Sequence, residues 1–268
     1  MPSVSASSPP ARRRASTPVT SGVRPAATDT YREYAPPAGL EPLVSCLWEG
    51  VEATDRPWRL VPDGCVDLVL VGGRELVVAG ADTGPRVVDL PAGTRSLGIR
   101  LRPGAAGAVL GMPASELRDQ QVAADLVWGV ASARLREAAT LTEPARSALC
   151  LDLLAGAVAA RRAAPDPLVR VASRHLSMPG ASISGVAADL GLSERQLHRR
   201  TTAAVGYGPK LLARVGRLRR FVTLTEESLA IRAVEAGYAS QAHMSDEVRR
   251  LTGATPVRFL EEATLTGA

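Results

Sequence analysis

Aromatic side chains and lysine are scarce in this 268-residue chain: aromatics make up 3% of the sequence, and Lys210 is the only lysine. Proteins that bind single-stranded nucleic acid stack the bases on aromatic rings, so this class is disfavoured relative to duplex binders. The interior must use aliphatic side chains, which the 46% hydrophobic content supplies. A charged content of 22% is that of a globular protein, and the length suffices for about two domains.

Cysteine is also sparse. Cys46, Cys65 and Cys150 are far apart and form no CxxC pair, so neither a disulfide framework nor a zinc site is expected. All the histidines follow residue 174, which leaves the first half without the imidazole cluster of a metal-dependent cupin-type enzyme. We therefore expect no metal and no cofactor.

Long apolar runs are missing as well. No apolar run of signal-peptide length follows the arginines at 12–14, and no stretch reaches the ~18 apolar residues of a membrane span. The expected location is a reducing cytoplasm, at the nucleoid, away from membranes.

The residues from 168 onward carry 14 basic and nine acidic side chains, so the whole net charge of +5 lies there. Neutralising DNA phosphates is one use of such a charge.

Composition predicts a two-domain α+β chain in four parts. These are a disordered tail at 1–29, a β-rich sensor domain at 30–130, a helical connector and linker at 131–167, and an all-helical domain at 168–268. The tail has almost no large apolar residues to offset its ordering entropy. Short apolar runs bounded by turn residues predict a barrel or sandwich in the second part. The predicted strands are Leu43–Trp48, Val66–Val71, Glu75–Val78 and Ser96–Leu101.

The connector is predicted to contain helices at 131–140 and 143–162. The second has a broad apolar face, which could pack either on the β-rich domain or on a second subunit. The prolines that follow it end the helix, because the residue before a proline avoids the helical conformation.

Two segments of the helical domain have the same pattern. In the first, a short helix containing Ala187 runs into Gly191, and Ser193 begins a second helix that contains Leu197. A small residue permits close helix approach, glycine permits the positive φ of a tight turn, and serine caps the next helix. This combination predicts a helix-turn-helix.

The second segment, at 229–251, repeats the pattern with Gly237 in the turn and Ser240 as the cap. Between the two units, residues 209–224 can form one helix of about 24 Å at 1.5 Å per residue. Such a spacer could set two recognition helices into successive major grooves, which are about 34 Å apart.

The helical domain resembles the DNA-binding domain of the AraC/XylS family of transcription regulators over residues 168–262. The most specific segments are Ala187–Ser193, Gly206–Lys210, Ala236–Tyr238 and Gly253–Pro256. Upstream, the PDGCVDL sequence at Pro62–Leu68 resembles a sensor domain attached to some family members. The resemblance implies a sequence-specific regulator that binds double-stranded DNA, with RNA polymerase as a partner, an unknown small-molecule effector, and a homodimer as a further option.

By resemblance, base edges would be read by Arg195, Gln196, His198, Arg199, Gln241, His243 and Asp246. Arginine grips guanine O6 and N7, and glutamine and histidine reach purine acceptors. Asp246 stands where the family commonly has a non-acidic residue. The second unit therefore either contacts DNA weakly, or its Asp246 carboxylate accepts a hydrogen bond from a cytosine amino group. Thr201 replaces a usual core aromatic. The predicted phosphate contacts are Arg200, Lys210, Arg214, Arg217, Arg220, Ser245, Arg249 and Arg250.

Asp63, Cys65 and Asp67 lie at the PDG turn of the β-rich domain. They either line an effector pocket or form a hairpin corner with a buried thiol. Two other functions stay open: a DNA-repair enzyme that transfers an alkyl group to a cysteine through an AraC-type DNA-binding domain, and an architectural DNA bender without a sensing role. The favoured reading is a regulator that is not an enzyme.

Overall fold

The computed structural model describes residues 31–53, 55, 58–129, 133–134, 137–138, 145–161, 164–226 and 228–264. The predicted tail at 1–29 and most of the predicted helix at 131–140 lie outside these residues. The described chain consists of a β-rich N-terminal region followed by a helical C-terminal region, as the sequence predicts.

The strands of the N-terminal region form two antiparallel sheets. They are β1 (Arg32–Tyr34), β2 (Val44–Val51), β3 (Trp58–Leu60), β4 (Val66–Val71), β5 (Glu75–Ala79), β6 (Arg86–Val88), β7 (Arg95–Leu101) and β8 (Gln121–Ala123). The large sheet has the order β1-β2-β7-β4-β5-β8, and β3 pairs with β6 in a small second sheet. The four predicted strands correspond to β2, β4, β5 and β7. The other four were not predicted, because three residues are too few to show an alternating pattern.

The two faces of the large sheet have different roles. Side chains alternate between faces along a strand, and Leu68, Ile99 and Leu101 are fully buried on the face covered by helices. Val69 and Val77 belong to a separate cluster on the opposite face. The second face looks toward the small sheet, and a hollow lies between the two sheets.

Helices cover the first face of the sheet. They are α1 (Ala106–Leu110), a 3₁₀ turn at Ala114–Leu117, α2 (Asp125–Trp128) and α3 (Ala145–Ala160). The helix α3 contacts β7 and β2, and its residues Cys150, Leu154 and Val158 are fully buried. Of the two sequence-based interpretations of this helix, packing on the β-rich region is therefore the one observed.

The C-terminal helices are α4 (Pro167–Leu176), α5 (Ile183–Asp189), α6 (Glu194–Val205), α7 (Pro209–Thr223), α8 (Leu229–Glu235), α9 (Gln241–Thr252) and α10 (Pro256–Thr264). The first helix-turn-helix is α5–α6, where the turn residue Gly191 has a φ of 65°. The second is α8–α9, where Gly237 has a φ of 91°. Between them α7 runs for 15 residues, or about 22 Å, close to the predicted spacer.

Two hydrophobic cores divide the helices unequally. One core is continuous from the large sheet through α4, α5 and α6, and it includes Tyr207 and the first half of α7. The other is confined largely to the second helix-turn-helix and the end of α7, around Phe221 and Met244. The first unit thus shares its interior with the β-rich region, whereas the second unit has a core of its own.

Candidate nucleic-acid interface

The first candidate reading surface is the exposed face of α6. Ser193 caps this helix, and its hydroxyl accepts a hydrogen bond from the Gln196 backbone N–H at 3.2 Å. Leu197 is completely buried, which fixes the rotation of the helix about its axis. That rotation turns Arg195 and Arg199, one helical turn apart, toward solvent.

The predicted base-reading residues on α6 are all exposed but differ in their contacts: Arg195, Gln196, His198 and Arg199. The Gln196 Oε1 accepts from the Ser193 backbone N–H at 2.8 Å and completes a capping box, so this side chain is occupied within the protein. The His198 ring lies against Gly208, where a Cβ would come within 2.6 Å of Nε2. Neither arginine forms an ion pair with the residues that the structure describes, and both are free to meet DNA.

The second candidate surface is the exposed face of α9. The Ser240 hydroxyl caps the helix by accepting from the His243 backbone N–H at 3.1 Å. Gln241, His243 and Asp246 point outward. The His243 Nδ1 accepts a hydrogen bond from the Ala239 backbone N–H at 3.3 Å.

A buried carboxylate joins α9 to α7. Glu247 is 6% exposed, and its Oε2 lies 3.1 Å from the Arg214 Nε and 2.9 Å from the Arg217 Nη2. Its Oε2 is also 3.6 Å from the His243 Nε2. The Arg217 guanidinium lies 5.6 Å from the centre of the Tyr238 ring. This arginine–glutamate cluster (Arg214, Arg217, His243 and Glu247) connects the central helix with the second recognition helix.

Most of the predicted phosphate-binding arginines have partners inside the protein. Arg200 pairs with Asp166 at 2.6 Å, Arg214 and Arg217 pair with Glu247, and the Arg220 Nη2 donates to the Ser177 carbonyl. Burial lowers the pKa of the Arg220 guanidinium.

Three predicted phosphate contacts are exposed and form no ion pair among the described residues: Lys210, Arg249 and Arg250. Ser245 is half-buried on α9. The structure therefore separates the basic residues into cations that hold helices together and cations that remain available to a ligand.

Thr201, the second departure from the family pattern, is completely buried in α6. Its hydroxyl donates to the Leu197 carbonyl at 2.9 Å, so the polar atom is satisfied within the helix and the methyl group packs in the core.

Glu247 was missed by the sequence analysis. The available signal was an acid on the apolar side of α9: Glu247 comes three residues after Met244, which is buried, and four residues after His243, which is exposed.

The β-rich region contacts the first helix-turn-helix at Gly206 and Tyr207. Gly206 has a φ of 99°, a conformation that favours glycine, and a Cβ there would lie close to the Ala81 Cβ, at 3.0 Å. The Tyr207 side chain is buried, and a Cβ on Gly64 would lie 3.2 Å from its hydroxyl oxygen. Burial and the nearby Asp63 carboxylate raise the pKa of Tyr207.

The predicted effector residues Asp63, Cys65 and Asp67 all line the hollow between the two sheets. The Asp63 Oδ1 also accepts from the Cys65 backbone N–H at 2.8 Å. The turn joins β3 of the small sheet to β4 of the large sheet, two strands that do not pair with each other, so the prediction of a hairpin corner is wrong. The Cys65 thiol is buried, as that interpretation expected, and the turn borders a cavity.

Alkyl transfer to a cysteine requires an accessible thiolate. The Cys46, Cys65 and Cys150 thiols are all buried. Burial raises the pKa of the Cys46 thiol to about 12, which opposes nucleophilic chemistry there. The geometry thus gives this alternative no support.

Among the described residues, no group of three or more His, Cys, Asp or Glu side chains is arranged to hold a metal ion. None of the helices in these ranges combines the length and apolar character needed to cross a membrane.

Comparison with known protein families gives two matches. A helix-turn-helix domain family matches residues 186–262, which cover α6, α7, the second unit and most of the first. A domain family of unknown function, DUF6597, matches residues 32–123, which cover both sheets. No curated protein matches the chain.

Among solved structures, the chain is similar to ToxT from Vibrio cholerae. ToxT of strain O395 is 8% identical with a TM-score of 0.45, covering 87% of this chain and 98% of that one. An apo variant from strain SCE256 is 11% identical with a TM-score of 0.44, covering 92% of this chain and 100% of that one. Wild-type ToxT with bound unsaturated fatty acid is 10% identical with a TM-score of 0.43, covering 81% and 94%.

Proposed function

We propose that the chain is a DNA-binding transcription regulator with an AraC-type helix-turn-helix domain, and that it inserts α6 and α9 into successive major grooves of one duplex. The supporting observation is the pair of capped, outward-facing helices joined by α7 at a length of about 22 Å. Helices presented by a helix-turn-helix enter the major groove with their N-terminal residues against base edges.

Base reading in this proposal falls mainly on Arg195 and Arg199 in the first unit, because their guanidinium groups have no protein partner among the described residues. Gln196 stays in its capping box and contributes at most its exposed amide group. In the second unit Gln241, His243 and Asp246 face the groove, and Asp246 accepts from a cytosine amino group.

Phosphate binding is assigned to Lys210, Arg249 and Arg250, and Ser245 is a neighbouring hydroxyl donor on α9. Arg200, Arg214, Arg217 and Arg220 would each have to give up a contact inside the protein to reach DNA. We therefore assign these four arginines a primary role in placing the helices.

Modulation through the N-terminal region is supported by three contacts. Val61 lines the hollow and also packs on the core of the second helix-turn-helix. Gly64, three residues on, abuts Tyr207 beside the first unit. At the same end of the small sheet, on its other strand, a Cβ on Gly253 would lie 3.4 Å from Pro85. A change in the hollow would thus reach both reading helices.

The proposal also covers partners and cellular location. RNA polymerase is the proposed protein partner at the promoter, and a second copy of the chain is a further proposed partner. The protein is proposed to act in the cytoplasm at the nucleoid, without enzymatic activity. Sedimentation of the full chain with and without operator DNA tests the homodimer.

The experiment that tests DNA reading compares two variants of the full chain on a duplex selected from a random pool and on random duplex. Arg199→Ala should cost about 1 to 3 kcal/mol on the selected duplex and relax the choice at one base pair. Lys210→Ala should weaken both duplexes alike and reduce the slope of log affinity against log salt by about 1.

Arg174→Ala is the matched control, because Arg174 is an exposed arginine on α4 to which the proposal assigns no contact with DNA. Fluorescence anisotropy measures all affinities across a salt series. Equal losses on both duplexes for Arg199→Ala would contradict base reading. Equal wild-type affinity for selected and random duplex would favour an architectural DNA bender.

A further inference from the structure

The hollow between the sheets has an apolar middle and a charged end. Its volume is about 150 Å³. Val69, Val77 and Trp48 form the middle of the wall on the large sheet, and Leu60 and Val88 face them from the small sheet. An apolar cavity of about this volume holds a molecule the size of benzene. The space therefore suits the body of a small organic molecule.

Among the described residues, carboxylates outnumber cations at the charged end. The buried Arg100 guanidinium lies 3.1 Å from Asp67, 3.4 Å from Glu33 and 3.8 Å from Asp63. Within the part of the chain that the structure describes, these three carboxylates share the positive charge of Arg100. The other cation of the lining, Arg86, is paired with Asp82 at 3.3 Å.

This surplus of negative charge sits where water is restricted. Burial raises the pKa of both Glu33 and Asp67, although Arg100 opposes the rise. Buried like charges disfavour one another, and an added positive charge relieves the repulsion. The charged end of the hollow is accordingly matched to a cation.

A second polar group faces the hollow from its far end. Ser96 is 2% exposed and lines the hollow, and its hydroxyl has no hydrogen-bond partner among the described residues. Burying a hydroxyl without a partner destabilises the protein, so a ligand that supplies the partner gains affinity. Ser96 and Arg100 are four residues apart on β7, or about 13 Å.

We propose that this hollow binds a small organic ammonium ion, with its charge at Asp63 and Asp67, its apolar chain along Val69, Val77 and Trp48, and a terminal hydroxyl at Ser96. Trp48 adds an aromatic surface, which favours cations. The role of this ammonium ion as the effector rests on the proposed regulatory function, but its binding is measured without DNA. Ligand binding and DNA regulation can therefore fail separately.

The test uses four probes with the same six-carbon chain: hexylammonium, 6-amino-1-hexanol, hexan-1-ol and hexanoate. Calorimetry and thermal unfolding of the full chain at pH 7.5 measure binding. We expect saturable binding of both ammonium probes, at least tenfold tighter than hexan-1-ol, and no binding of hexanoate. The amino alcohol should bind more tightly than hexylammonium.

Two variants locate the site. Asp63→Asn keeps an oxygen for the Cys65 backbone N–H but removes a carboxylate, and should weaken both ammonium probes at least tenfold. The control Asp89→Asn changes an exposed acid outside the hollow and should leave binding unchanged. Ser96→Ala should abolish the advantage of the amino alcohol over hexylammonium. Hexanoate binding as tightly as hexylammonium, or the absence of any ammonium binding, would overturn the proposal.

Discussion

Removing the charge of Glu247 should loosen the second recognition helix. The carboxylate is 6% exposed and pairs with two guanidinium groups, Arg214 and Arg217, whose side chains are 19% and 22% exposed. Removing one partner of a buried ion pair costs about 3 to 5 kcal/mol. Because both arginines keep some contact with water, and glutamine still accepts one hydrogen bond, we expect Glu247→Gln to lower the free energy of unfolding by about 2 kcal/mol.

Urea unfolding followed by circular dichroism measures this change. Glu235→Gln is the matched control, since Glu235 is an exposed acid at the end of the neighbouring helix α8, and surface changes stay within about 0.5 kcal/mol. A double-mutant cycle with Arg217→Met should give a coupling energy of at least about 1 kcal/mol.

DNA affinity supplies a second measurement for the same variant. A loosened α9 should weaken binding to the selected duplex more than to random duplex, because base contacts need a fixed helix and phosphate contacts tolerate movement. If Glu247→Gln unfolds at the same urea concentration as Glu235→Gln, the cluster contributes nothing and the argument from burial is wrong.

Two further changes test buried polar groups, one in the β-rich region and one where the helical region contacts it. Tyr207→Phe should raise the free energy of unfolding by about 1 to 3 kcal/mol, because the buried Tyr207 hydroxyl has no hydrogen-bond partner among the described residues; unchanged or lower stability in urea would show that the hydroxyl is satisfied. Burial raises the pKa of Asp82 to about 6 despite Arg86, so the folded state favours the protonated acid and stability should fall as pH rises from about 4 to 6. The full effect is about 3 kcal/mol. Asp82→Asn should remove that slope in urea unfolding at stepped pH, and an identical pH profile for the variant would contradict the assignment.

The helical region could be predicted from the sequence almost element by element, because each signal is local. Ser193 and Ser240 cap the helices that they were predicted to cap, and Gly191 and Gly237 adopt the positive φ that the turns require. Capping and turn chemistry act within a few residues, so an isolated sequence contains the necessary information.

Ion pairs between residues far apart in the sequence could not be predicted in the same way. The contact between Arg214 and Glu247 joins residues 33 positions apart, and the contact between Arg100 and Glu33 joins residues 67 apart. A basic residue on a helix surface looks the same in sequence whether it faces DNA or a buried acid. For this reason Arg200, Arg214, Arg217 and Arg220 were grouped with the free cations. The hollow was predicted only as far as its turn, because Ser96 and Trp48 come to it from other strands.

The two separate cores make the two reading units mechanically different. The first unit shares a continuous core with the β-rich region, so it can open only at the expense of that region. The second unit has its own core and is held to the rest through the end of α7, the Glu247 contacts, and the contacts of Val61 and Pro85 at the end of the small sheet. Local openings follow such boundaries between packed units.

Native-state hydrogen exchange should therefore reveal a partial opening of α8, α9 and α10. Their slowest amides should exchange with a free energy at least about 2 kcal/mol below that of the amides in α4 and α6. Glu247→Gln should widen this gap, because it weakens the link between α7 and α9 without touching the first core. A common free energy of exchange for all these helices would contradict this prediction, because it would mean that the two cores unfold together. Both recognition helices would then belong to one rigid unit, and a change in the hollow would move them together.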